Sequence, residues 1–192
     1  MTYLDRDDIQ SISPNADLPL LEEDEQRSVV VVRPDPCGLV SIGQLHSSEY
    51  QDIPYKGYTL NSVDDYVLFR MAERISISLA IEVSGAWSIS SAFEMIKSHL
   101  GDKYNPEEYE DNAADIYCYM VEAYSLLAKT NEEFRKQLIA TGNAQIFAND
   151  PSSLLNSQWG AAPVGIGPED QVVRSGHNIM GRALEAVREG LV

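Results

Sequence analysis

The sequence predicts an α+β domain, mainly helical, with a small sheet drawn from its N-terminal third. Three observations carry this. Val29-Val30-Val31-Val32 is a β-branched run that stops at Arg33-Pro34-Asp35-Pro36, the pattern of a buried strand ended by a turn. From Ser62 onward the apolar residues recur at helical spacing instead of alternating. The 192 residues are 44% hydrophobic and include ten tyrosines, enough to bury the core of one compact domain.

Taken in order, residues 1–26 stand apart from the domain that follows at 27–192. Eight acids (Asp5, Asp7, Asp8, Asp17, Glu22, Glu23, Asp24 and Glu25) face one base, Arg6. Such a segment cannot bury enough apolar surface to offset its ordering entropy. It reads as a solvated tail, or as an arm that docks on a protein partner or another copy through Leu18, Leu20 and Leu21. A second strand is expected near Leu39 to Ile42. Ile53 to Leu60 reads as a hairpin turning at Lys56-Gly57.

Ser62 is the expected N-cap of a helix carrying Asp64 and Asp65 in its first turn, where negative charge suits the dipole. Ile75 to Leu100 is apolar and serine-rich, with a break at Gly85-Ala86-Trp87. Gly101 to Glu110 reads as a loop with Pro106 near a helix start. A long helix is expected over Asp111 to Ala128. Thr130-Asn131-Glu132-Glu133 has capping-box form, with Thr130 as the cap of a short helix over Glu132 to Ala140. Gly142 suits the left-handed position that closes it, and Ala144 to Phe147 could be a strand. Asp150-Pro151-Ser152-Ser153 reads as a turn.

The last stretch, from Trp159-Gly160 to Arg188, reads as an irregular glycine-rich segment leading into a helix. Ile179, Met180, Ala183, Leu184 and Val187 give that helix one apolar face, with Asn178 as N-cap and Gly176 allowing the tight backbone before it. A glycine-bearing loop at a helix N-terminus offers free backbone N–H groups to an anion. On spacing alone the favoured reading is an ordinary loop and cap. Arg188 suits the C-terminal end of the helix dipole.

Composition narrows the function. Fourteen basic against thirty acidic residues give a net charge of −16, which repels phosphate backbones and argues against bulk nucleic-acid binding. Cys37 and Cys118 are too few for a disulfide framework, and His46 and His99 lack spaced partners, so neither metal nor cofactor is expected. No apolar run reaches membrane-spanning length, and no signal-peptide pattern opens the sequence. A cytoplasmic protein is expected, with no membrane partner.

Three segments carry a family resemblance. Phe134 to Ala144 (FRKQLIATGNA) is similar to the "ELR..LLATG.A" segment of the NADAR superfamily, the NAD- and ADP-ribose-related proteins. Tyr55-Lys56-Gly57 followed by Asn61 to Tyr66 resembles that family's "Y.G..F.SVEHY". Trp159-Gly160, then Gly176-x-Asn178-x-x-Gly181 and a helix ending in Val187-Arg188, resembles its closing signature. They occur in the family's order and span roughly Ile53 to Leu191.

The resemblance implies a compact, mostly helical fold and N-glycosidase chemistry on a ribosylated base or ADP-ribosyl guanine. In such a reaction the ribosyl carbon becomes cationic and needs a carboxylate, while the leaving base needs a proton. The family's glutamate falls on Asp64, its neighbouring histidine on Asp65, and its lysine on Met71. The acid before Trp-Gly falls on Asn156, which cannot ionise. Asp64 is therefore the implied catalytic carboxylate, and Trp159, Gly160, Asn156, Gly176, Asn178, Gly181, Arg182 and Arg70 the implied ligand contacts. Arg70 and Arg74, a turn apart, read either as surface ion pairs or as pyrophosphate ligands. Two functions follow: a nucleotide-handling domain for an ADP-ribose-like or ribosylated-base ligand, with possible hydrolysis, or a catalytically inactive fold with a structural or partner-binding role, as in a virus or phage particle.

Overall fold

The computed structural model describes residues 29–32, 45, 51–109, 112–148, 159, 162–166, 172–175 and 177–191. Expectations for residues 1–26, for a strand near Leu39 to Ile42, for the turn at 150–153, and for Asn156, Gly160 and Gly176 lie outside them.

The architecture is α+β and mainly helical. Strand β1 (Val29–Val32) is followed by β2 (Ile53–Tyr55), β3 (Tyr58–Leu60), α1 (Val63–Glu73), α2 (Ile77–Ser84) and α3 (Ile89–Leu100). A 3-10 turn at Gly101–Lys103 leads to α4 (Pro106–Tyr109), α5 (Ala113–Thr130), α6 (Glu132–Ala140), β4 (Gln145–Ala148), β5 (Ala162–Ile166), β6 (Val172–Ser175) and α7 (Ile179–Glu189). The described strands form three separate pairs. β2 and β3 make the expected hairpin, with Lys56 at φ 48° and Gly57 at φ 87°, the two positive φ values of a tight two-residue turn. β1 runs parallel to β4, Val29 opposite Gln145 and Val32 opposite Ala148, so the N-terminal strand finds its partner far along the chain.

Short-range chemistry sets the helix starts. Ser62, Ser76 and Ser88 each sit in extended backbone and accept from the amide three residues on, at 3.1, 3.2 and 3.1 Å. The serine-rich middle is thus a run of caps, and the break at Gly85–Ser88 falls where expected. Gly142 closes α6 at φ +58°. Two local readings need correction. Thr130 is the last residue of α5, where its hydroxyl donates to Leu126 O, and Asn131 caps α6 by accepting from Phe134 N at 3.0 Å. Asparagine wins because the long helix continues two residues further and leaves Thr130 helical. The segment between Trp159 and α7, read as irregular, contains an antiparallel ladder: β5 pairs with β6, with a register irregularity between Pro163 and Gly165.

α1 and α5 form the centre. Tyr66, Val67, Phe69 and Met71 of α1 and Ile116, Met120, Ala123, Tyr124 and Leu127 of α5 are buried in one core. α2 packs on α1, and α7 lies against both α5 and β4. Tyr124 stacks on Phe134 of α6, with ring centroids 5.8 Å apart and planes within 8°. This buried frame holds the N-terminal end of α1 and the start of α7 in fixed positions along α5.

Candidate functional site

Among the described residues, polar side chains gather in two places on α5. The first is a solvent-open cleft of about 390 Å³ lined by Lys56, Arg70, Glu73, Arg74, Asp115 and Tyr119. Arg70 is its hub. The guanidinium lies over the rings of Tyr119, Tyr55 and Tyr66, at 4.8, 5.0 and 5.8 Å from the centroids, and donates to the Tyr66 hydroxyl at 3.0 Å. It pairs with Glu122, and with Glu73 at 3.5 Å. Glu73 also accepts from Lys56 and the Tyr55 hydroxyl, both at 2.9 Å, and Arg74 pairs with Asp115 and with Glu108 at 3.6 Å. Burial works against charge on Arg70, but Glu122 and Tyr66 outweigh it and leave the pKa above the ordinary arginine value. The cleft is thus a cation cluster balanced by carboxylates, tying the hairpin and α1 to α5. Arg70 and Arg74 are ion-paired, as one of their two readings had it, and they line this cleft.

Glu73 gives the network a pH signature. Burial pushes its pKa up, but hydrogen bonds from Lys56 and Tyr55, with the nearby charges, bring it below the ordinary value of 4.5. A depressed carboxyl stabilises the fold above its unfolded pKa, and that contribution disappears as pH falls through the lower folded value. Glu73→Gln is therefore expected to lower Tm at pH 6, and the gap to wild type should close as pH drops below about 4.5. Melting curves at several pH values check this; a gap constant down to pH 3 would mean the carboxylate charge contributes nothing.

The second place is the opposite side of α5. Residues 117 and 119 lie about 200° apart around a helix, so Tyr117 faces away from the Arg70 cleft. Tyr117 and Tyr124, seven residues apart, share one face at a separation of about 10 Å. At one end, the Asp64 charge raises the pKa of Tyr124, after burial, which is the larger cause. At the other end, burial lowers the Arg182 pKa, against Tyr117 and Glu185, which raise it. Asp64, Arg182 and Tyr117 are all half-buried, and so is Val121, between the two tyrosines in sequence. The charges of Asp64 and Arg182 thus act on two tyrosines of one face of α5, while Arg70 sits on the other side.

The remaining candidates serve the framework. Trp159 is 3% exposed in the core, and its carbonyl accepts from Met180 N at 2.9 Å, which occupies one of the first-turn amides of α7. Asn178 holds the N-cap position at φ 51°, but its side chain caps nothing. Instead its amide donates to Ile146 O at 2.8 Å and accepts from Ala148 N at 3.0 Å, pairing with the β4 backbone as another strand would. Gly181 is where α7 meets β4: a Cβ there would overlap the carbonyl oxygen of Ile146. Arg188 does not simply face the helix end; it is 4% exposed and donates to Thr141 Oγ1 and Ala144 O, both at 2.8 Å. Met71, which stands where the family has a lysine, is 1% exposed in the core. Sequence reasoning missed Glu122 and Tyr119, partners of Arg70, because helical spacing alone does not say which face of α5 meets α1.

No protein-family model and no curated protein sequence matches the chain. Its structure is similar to the NMR structure of the Escherichia coli protein YbiA, a NADAR-family protein, with a TM-score of 0.55 over 89% of each chain at 17% identity. The chain has a NADAR-like fold. At that identity the likeness concerns the fold, and the chemistry has to be argued from this chain's residues. No helix among the described residues is long and apolar enough to cross a membrane, and no three metal-ligating side chains cluster there.

Proposed function

We propose that this NADAR-like domain handles a ribosylated nucleotide, binding an ADP-ribose-like or ribosylated-base ligand along the face of α5 between Asp64 and Arg182. What supports this reading is that the charges of Asp64 and Arg182 act on two tyrosines of one face of α5, the buried Tyr124 and the half-buried Tyr117. An arginine offers planar paired donors to a phosphate. A carboxylate suits a ribosyl carbon that gains positive charge as its bond to the base breaks. In the hydrolytic form, water adds to that carbon, the carbon–nitrogen bond breaks, and the base leaves after taking a proton. Asp64 steadies the cationic carbon or accepts the proton of the attacking water.

The test is a thermal-shift titration with ADP-ribose, NAD and a ribosylated guanine nucleotide, on wild type, Asp64→Asn and Arg182→Met. A ligand that binds only the folded state raises Tm by mass action, corresponding to about 2.7 kcal/mol at one hundred times Kd. The expected result is a shift with at least one ligand, reduced in Arg182→Met and retained in Arg74→Met, which alters the other side of α5. Free base appearing over time, and lost in Asp64→Asn, would establish hydrolysis. Absence of any shift, or a shift abolished only by Arg74→Met, would overturn the placement.

A further inference from the structure

Tyr124, on the proposed nucleotide face of α5, carries a polar atom that the fold does not use. The residue is 0% exposed, its hydroxyl is closed off from solvent, and that hydroxyl has no hydrogen-bond partner. Buried polar groups of folded proteins are nearly always paired, because an unpaired one has given up water for nothing. Phenylalanine would fill the same space without that cost. It would also stack on Phe134 as Tyr124 does, with ring centroids 5.8 Å apart. The ring therefore serves the core, and the oxygen serves something else.

Its surroundings say what that is. Burial, and after it the charge of Asp64, push the Tyr124 pKa well above the ordinary tyrosine value, so the hydroxyl keeps its proton and can donate. Asp64 stands in the first turn of α1, which packs against α5. Its carboxylate is half-buried, and one of its oxygens, Oδ1, is closed off from solvent as the Tyr124 hydroxyl is. A donor that holds its proton and a charged acceptor thus stand together on the inner side of the face, with the outer carboxylate oxygen left toward the ligand. We propose that Tyr124 is the positioning residue of Asp64: its hydroxyl donates to the inner carboxylate oxygen as Asp64 engages a ligand through the outer one. Such a bond fixes the carboxylate in one orientation and favours its ionised form, the form that a ribosyl carbon gaining positive charge requires. The proton stays on the tyrosine oxygen throughout. This assignment rests on the nucleotide reading and adds to it a residue that acts through Asp64 without touching the ligand.

Tyr124→Phe removes the oxygen and nothing else. Melting curves of the full chain, alone and titrated with ADP-ribose, NAD and a ribosylated guanine nucleotide, test the assignment. Alone, the variant should melt at or above wild type, because no bond of the fold is lost. For whichever ligand shifts wild type, its Kd should rise about tenfold, the scale of a hydrogen bond to a charged group. In an Asp64→Asn background the same substitution should raise Kd less than threefold, because the charge it serves is gone. Two side chains that act independently would show the same loss in both backgrounds. A purely structural tyrosine would give the opposite signature, a lower Tm with no coupling to Asp64. A fall in Tm without ligand, an unchanged Kd, or an equal loss in both backgrounds would each overturn the assignment and leave the nucleotide reading standing. Absence of any shift in wild type would overturn both.

Discussion

Gly181→Ala should lower Tm by roughly 4–8 °C, even though helix propensity argues for the opposite. Alanine in a helix interior is worth about 1 kcal/mol over glycine, so propensity predicts a gain. Gly181, however, lies where α7 touches β4. An added Cβ would overlap the backbone oxygen of Ile146 and crowd both side-chain heteroatoms of Asn178. Backbone cannot swing aside as a flexible side chain can, so α7 must lift off the strand. Overpacking of this kind costs about 3 kcal/mol, which exceeds the propensity gain. In a chain of this size each kcal/mol moves Tm by about 2–4 °C. Circular-dichroism melts of wild type and variant decide the matter: a Tm unchanged or raised would show that α7 does not approach β4 this closely.

Asn178→Ala should be at least as damaging. Asn178 is 0% exposed, and its amide satisfies both Ile146 O and Ala148 N on a strand that is otherwise paired with β1. Truncation strands two buried backbone groups, each costing about 1–3 kcal/mol. It also leaves alanine at φ 51°, a left-handed conformation that costs a non-glycine residue about 1–2 kcal/mol and that asparagine tolerates better. The expected loss is about 3–5 kcal/mol, measured by urea unfolding at constant m-value. Asn178→Asp refines the test. It keeps the acceptor for Ala148 N but turns a carboxylate oxygen toward the carbonyl of Ile146, so it should destabilise nearly as much. A mild effect in both variants would show that solvent can take over the clamp. Asn178 and Gly181 act on the same strand, so the double variant should cost less than the sum of the two.

These positions also explain how the closing signature can be kept for the sake of the fold alone. Asn178, Gly181, Trp159 and Arg188 are retained features of the resemblance, and each is used to bind α7 to β4 and the core. Their presence supports a NADAR-like fold and by itself says nothing about turnover. The chemical question narrows to Asp64 and Arg182, which is why the proposed titration varies those two.

The sequence alone determined the features whose causes lie within a few residues. Ser62 caps α1 through an amide three positions away, Lys56-Gly57 forces the hairpin turn by its own backbone preference, and Gly142 ends α6 in the left-handed region. Helical spacing likewise marked the buried face of α7. What only the tertiary structure decided depends on partners distant in the chain. Asn178 reads as a cap until β4, thirty residues earlier, is seen to claim its side chain. Arg188 reads as a dipole partner until the carbonyl of Ala144, forty-four residues away, appears beside it. Arg70, legible as a phosphate ligand, is claimed instead by the ring of Tyr119, whereas Tyr117, two residues earlier, lies about 200° away around α5. Local backbone preferences are written residue by residue. Which face of one helix meets another is set by the burial of the whole core, and that is where the two sides of this site were separated.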